Sequence, residues 1–148
     1  MIQPPPDFNP SSTAKSLLRR SRQGALATLM PDGGDPYCSL VNVASLPEGA
    51  PILLISRLAV HTRNILADSR VSLMLHEGAE GDPLEGARIM IAGRAEQAGD
   101  ADEAGWRRRF LRLSESGGTL SFPQVLTELS GMDSSLDRLS LVGPVTEL

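Results

Sequence analysis

The sequence predicts an α+β domain built on a small antiparallel β-barrel, and two observations carry that expectation. Five or six short strand-like segments follow one another through mostly tight connections, and helices precede or interrupt them. The regular strand and helix alternation that a parallel doubly wound sheet requires is lacking. A length of 148 residues suits one domain, able to bury roughly two thirds of its unfolded surface.

The elements follow in order. Residues 1–10, MIQPPPDFNP, hold four prolines and little to bury, so an extended arm is expected. From Ser12, STAKSLLRRSRQG combines helix formers with a Ser/Thr start and with Gly24 placed to end the helix. ALATLM, the turn-rich PDGGDP and YCSLVNVASL then read as a hairpin. After the turn PEGAP, ILLIS is a strand without a polar face, expected to be buried on both sides. NILADS is one or two turns of helix, beginning near Thr62.

RVSLMLH alternates Val71, Leu73 and Leu75 against Ser72, Met74 and His76, the signature of a half-buried strand. An acidic, glycine-containing loop leads to ARIMIAGRAEQ, where Ile89 and Ile91 face one way and Arg88 and Arg94 the other. DADEAGWRRRFLRL opens with acidic residues and carries Trp106, Phe110 and Leu113 along one edge of a helix. In the last third, SESGG reads as loop, PQVLTELSG as a short helix with Pro123 in its first turn, and RLSLVG as a last strand.

Composition narrows the function classes. Fourteen basic and eighteen acidic side chains give a net charge of −4 without a block of like charge, so nucleic acid is not an expected partner. Cys38 is alone, which rules out an internal disulfide, a two-cysteine redox pair and a Cys/His metal pattern. No basic stretch precedes an apolar one at the N-terminus, and no run of eighteen apolar residues occurs. The expectation is a soluble cytoplasmic protein that is neither exported nor membrane-spanning.

The segment SRLAVHTRNI, residues 56–65, leaves the most apolar strand abruptly. Ser56, Thr62, Arg63 and Asn64, with backbone N–H groups at the start of the following helix, have the chemistry to hold a phosphate. Thr62 as a plain N-cap with solvated arginines explains the same residues, and composition alone favours that simpler account. Arg88, flanked by Ile89, Met90 and Ile91, is either a ligand contact or an arginine on a wet strand face. Asn42 interrupts SLVNVA, where it bonds a ligand or faces water. His61 and His76 have the chemistry of acids, bases or axial haem ligands, although lone histidines at such places are more often surface residues. Cys38, beside Tyr37 in a strand, reads as a small buried apolar residue. RRRF at 107–110 reads as the wet face of a helix. No Ser-His-Asp order, P-loop, dinucleotide fingerprint or paired-carboxylate signature is present.

Together, GALATL…DGGDPYCSLVNVA, ILLISRLAVHTRNI, DSRVSLML and ARIMIAGRAE, spread over residues 14–97, resemble the FMN-binding split-barrel superfamily that includes pyridoxamine 5′-phosphate oxidase. The resemblance is closest to its haem-utilisation branch, and the second motif is the specific one. It implies an antiparallel split β-barrel with flanking helices. Ser39, Leu40, Val41 and Asn42 would line the flavin ring, Ser56 would lie beside the cofactor, and Thr62, Arg63 and Asn64 would hold the FMN phosphate. Arg88 stands where the oxidase subgroup tends to have a glutamine near the flavin. The resemblance also implies a homodimer with cofactor at the interface.

Two departures bear on substrate. The closing LSLVGPVTEL lacks the Arg-x-His motif of the pyridoxamine phosphate oxidases, and the chain stops at Leu148, where haem-degrading relatives continue into a domain that supplies a histidine to iron. Neither of those activities is therefore expected. Residues 114–131 also depart from the family's usual pattern, which makes 114–148 an atypical C-terminal part. The readings left standing are an FMN-dependent oxidoreductase of unnamed small-molecule substrate, a non-catalytic flavin- or haem-binding protein, and a cofactor-free structural dimer. FMN ranks ahead of haem and F420 as cofactor.

Overall fold

A computed structural model describes residues 6–78, 80–82, 84, 86–113, 124–130 and 139–142. Its elements are α1 (Pro10–Arg20), β1 (Gln23–Leu29), β2 (Pro36–Ser45), β3 (Pro51–Ser56), α2 (Val60–Ala67), β4 (Arg70–His76), β5 (Arg88–Gln97), α3 (Asp100–Leu113), β6 (Gln124–Ser130) and β7 (Leu139–Val142). All strand pairings are antiparallel. The sheet runs β4-β1-β2-β3-β6-β5-β7, and a further β4–β5 pairing closes six strands into a ring while β7 adds beside β5. The α+β barrel expected from the strand pattern is the fold observed.

β3 explains how the ring is filled. Its first five residues are all buried, because the two sides of the strand serve different cores. Leu53 and Ile55 point into the barrel, where Leu26, Val43, Leu73, Leu75, Ile89 and Ile91 meet Ala14, Leu17 and Leu18 of α1. Ile52 and Leu54 point outward to a second cluster with Ala44, Leu46 and Phe110, against which Trp106 and Leu113 pack. α3 thus covers the outside of β2 and β3 with the edge that the sequence pattern anticipated. Each fully buried Leu, Ile or Phe contributes roughly 1.5–3 kcal/mol. Arg109 Nε also donates to the Ser45 carbonyl at 2.6 Å, tying α3 to the end of β2.

Three local expectations are corrected. Helix α1 starts earlier than Ser12: Pro10 occupies its first turn, and Asn9 is the cap, its side chain accepting from Ser12 N at 3.0 Å. Proline costs nothing there, because its missing N–H would be unpaired anyway. Gly24 does not end this helix. The Arg22 guanidinium donates to the carbonyls of Arg19 and Arg20 at 3.1 and 3.3 Å, satisfying the last turn, and Gly24 lies within β1 opposite Val41. Residues 124–130, expected to be helical, form β6, which pairs with β3 on one edge and β5 on the other. Closing the ring outweighs a local helical signal.

Part of the expected N-terminal arm, residues 1–5, and the loop SESGG lie outside the described residues. Among the described residues no helix is long and apolar enough to cross a membrane.

Candidate functional site

Strand alternation decides which candidate side chains share a face. On β2, Val41 is buried in the barrel core and Ser39 is half-buried on the same side, whereas Cys38, Leu40 and Asn42 face outward and are exposed. The four residues 39–42 therefore do not form one lining. Val41 offers a ligand only its backbone. Cys38, expected inside, is exposed because it shares the outward parity of Leu40. That outward row continues across the sheet through Ala25, Met74 and Met90, which stand in register on β1, β4 and β5. Leu40 is 71% exposed, Met74 41% and Met90 44%.

The turn from β3 into α2 forms the corner that holds most other candidates. Ser56 Oγ accepts from Leu58 N at 3.2 Å, and the Ser56 carbonyl accepts from Thr62 Oγ1 at 2.5 Å. Thr62 is not the N-cap; that position belongs to Ala59, which has no side-chain group to cap with. Asn64 is buried and donates through Nδ2 to Thr28 Oγ1 of β1 at 3.0 Å. Thr28 in turn donates to the Tyr37 carbonyl of β2 at 3.5 Å. Thr62 Oγ1 and Asn64 Nδ2 thus bond inside the protein, while Arg63 between them is exposed. Residues 62 and 64 lie well apart around the helix axis, so α2 is covered on both of those flanks and Arg63, between them, lies on the strip left open.

His61 is the residue that composition undervalued. Its Nδ1 shares a 2.9 Å hydrogen bond with Ser39 Oγ, joining α2 to β2. Its Nε2 is buried and has no hydrogen-bond partner among the described residues. Burial pushes its pKa below the ordinary 6.5, so the ring is neutral near pH 7, with one nitrogen a donor and the other an acceptor. His76, by contrast, is exposed at the end of β4, as expected of a surface residue. Thr28 was also not singled out by sequence; the one available signal is a polar residue at an inward position of an alternating strand.

Arg88 is half-buried at the start of β5, across from His76 and Val142. Two strands separate β5 from β2 in either direction around the ring. The structure therefore brings Ser39, Ser56, His61 and Arg63 to one corner and places Arg88 on the other side of the barrel.

The donor chemistry of this corner can be set against the cofactors at issue. Exposed Arg57 and Arg63 flank the start of α2, and guanidinium groups there suit a phosphate. An iron ligand is less well provided: the unpartnered nitrogen of His61 is closed to solvent. Among the described residues no group of three or more His, Cys, Asp or Glu side chains converges as a metal site. The corner fits a phosphate-bearing ligand.

Comparison with known proteins places this geometry in context. A family model for pyridoxamine 5′-phosphate oxidase matches residues 11–130. A non-canonical, chloroplastic haem oxygenase of Arabidopsis thaliana is 31% identical over 135 residues, which cover 84% of this chain and 41% of that protein. A crystal structure of a protein of unknown function from Agrobacterium tumefaciens superposes with a TM-score of 0.79 at 29% identity, over 98% of this chain and 61% of its own. A haem-binding protein from Mycobacterium smegmatis gives a TM-score of 0.74 at 27% identity, over 97% of this chain and 60% of its own. The chain thus spans about two fifths of the curated relative and about three fifths of these two structures.

Proposed function

The chain belongs to the pyridoxamine 5′-phosphate oxidase family, and on that premise we propose that it binds FMN at the β2–α2 corner as a flavin-dependent oxidoreductase of a small-molecule substrate. The observation that carries this reading is the division of labour on α2. Thr62 and Asn64 anchor the helix internally, which leaves Arg63 outward in its first turn, beside uncapped backbone N–H groups. An anion is stabilised there by charge-assisted hydrogen bonds and by the helix dipole. Bound FMN supplies the redox chemistry, and the protein supplies orientation and the electrostatic setting. Arg63 and Arg57 hold the phosphate, while Asn42 and the β2 backbone meet the ring from the outward face.

The same reading includes a homodimer. The row Leu40, Ala25, Met74 and Met90 is apolar and partly exposed across four strands, a surface of the kind that marks an association site. Arg88 shares the outward parity of Met90 on β5, so on this reading it stands beside the face that a second copy covers.

A second reading, haem binding without flavin, is favoured by the names of two relatives, one a haem oxygenase and one a haem-binding protein. Absorption spectra separate the two. The purified protein is incubated with FMN, riboflavin or haemin and passed through a desalting column. Retained flavin absorbance with FMN, and none of the sharp blue band of bound haem, is expected. Retained haem with no retained FMN would transfer the conclusion to the second reading.

A further inference from the structure

Helix α2 is fastened to the barrel by two parallel rungs. The half-buried rung joins His61 Nδ1 to Ser39 Oγ at 2.9 Å. The buried rung joins Asn64 Nδ2 to Thr28 Oγ1 at 3.0 Å, and Thr28 passes the connection to the Tyr37 carbonyl at 3.5 Å. The spacing of the two elements is matched. His61 and Asn64 are three residues apart on a helix and so share one face, while Tyr37 and Ser39 are two apart on a strand and share its inward face. Thr28 stands directly opposite Tyr37 in the β1–β2 register, and Leu26 directly opposite Ser39. The rungs are therefore coupled by rigid elements at both ends.

We propose that Asn64 and Thr28 are positioning residues that hold α2 in the register at which His61 meets Ser39 and Arg63 faces outward. Asn64 and Thr28 are only 1% and 2% exposed, so they touch no ligand and act through the helix. Without the buried rung, the side-chain hydrogen bonds left to fix the rotation of α2 among the described residues are the half-buried His61–Ser39 bond and the Thr62–Ser56 bond, both in its first turn. A rotation of the helix that separates His61 from Ser39 also redirects Arg63. The consequence for binding rests on the FMN reading; the consequence for His61 does not.

The experiment uses Asn64→Ala and Thr28→Val, with Thr28→Ser as the conservative control. The first readout is the ring of His61 in long-range proton–nitrogen spectra of the ligand-free protein. The wild type and Thr28→Ser are expected to show two well-separated nitrogen signals, from one tautomer fixed by Ser39. In Asn64→Ala and Thr28→Val those signals are expected to move together as the tautomers average. The second readout is the preference for FMN over riboflavin, expected to fall about twofold or more, the lower end of coupling between linked groups. Thr28→Ser is expected to restore it. A folded Asn64→Ala with an unchanged His61 ring would overturn the positioning role. So would a wild-type ring with averaged tautomers, or failure of both deletion variants to fold, which would assign the pair to stability alone. A wild type that does not prefer FMN, with His61 behaving as expected, would sink the FMN reading and leave the brace standing.

Discussion

Gly24 offers a test of the barrel geometry whose size follows from three distances. A Cβ added at this position would lie 2.8 Å from Leu75 Cδ2, 2.9 Å from Leu73 Cδ1 and 2.9 Å from the Met74 carbonyl oxygen. The two methyl groups belong to fully buried core leucines, and the carbonyl belongs to the β4 ladder that pairs with β1. No neighbour yields without disturbing either core rotamers or sheet spacing. Overpacking of this kind costs about 1–3 kcal/mol, offset in part by the roughly 0.4–1 kcal/mol that alanine gains through a less flexible unfolded chain. Gly24→Ala is therefore expected to destabilise by about 1–2 kcal/mol net. At this chain length that lowers Tm by roughly 2–8 °C. Gly105→Ala is the control, since it lies within α3 with nothing inside 4 Å and should stabilise by about 0.5–1 kcal/mol. Urea titrations followed by circular dichroism and by the fluorescence of Trp106, the single tryptophan, give both values. Equal or increased stability in Gly24→Ala would refute the close approach of β1 to β4.

Three further outcomes are expected. Leu53→Ala, which empties a fully buried site in the barrel core, should cost about 2–5 kcal/mol in the same titration, and a loss below about 1 kcal/mol would contradict the packing. Because burial depresses the His61 pKa below 6.5, the unfolded chain takes up this proton more readily than the folded one. Stability should therefore fall as pH drops from about 6.5 toward the folded value; melting curves of the wild type and His61→Gln between pH 7.5 and 5 should converge, and a constant gap would exclude the effect. Leu40→Asp puts a charge on the exposed apolar row, and light scattering should find it monomeric where the wild type is dimeric; an unchanged mass would move the interface elsewhere.

The parts of the fold that were legible in the sequence are those where one residue pattern meets one environment. Val71, Leu73 and Leu75 alternate because β4 has one wet side, and Trp106, Phe110 and Leu113 line up because α3 covers one surface. β6 was illegible because its pairing with β3 and β5 is a tertiary matter that Pro123 and Gly131 say nothing about. The end of α1 was misplaced because Arg22 caps it through a side chain, which no spacing rule for glycine anticipates. At the site, the polar segment 56–64 was visible but its inward and outward members were not. Thr62 and Asn64 differ from Arg63 in lying on covered flanks of a short helix whose intervening strip is open. His61 gained its standing from Ser39, twenty-two residues away, a partnership that only the folded β2–α2 corner creates.

The most direct test of the central claim compares FMN with riboflavin, two ligands that differ by the phosphate alone, in the wild type and in Arg63→Ala. Loss of one or two charge-assisted hydrogen bonds, each about 1.5–3 kcal/mol, should weaken FMN by about tenfold to a hundredfold for one bond, and by up to about ten-thousandfold for two, in a fluorescence titration. Riboflavin should bind the two proteins almost equally. Equal losses for both flavins, or no loss for either, would contradict a phosphate site at the start of α2.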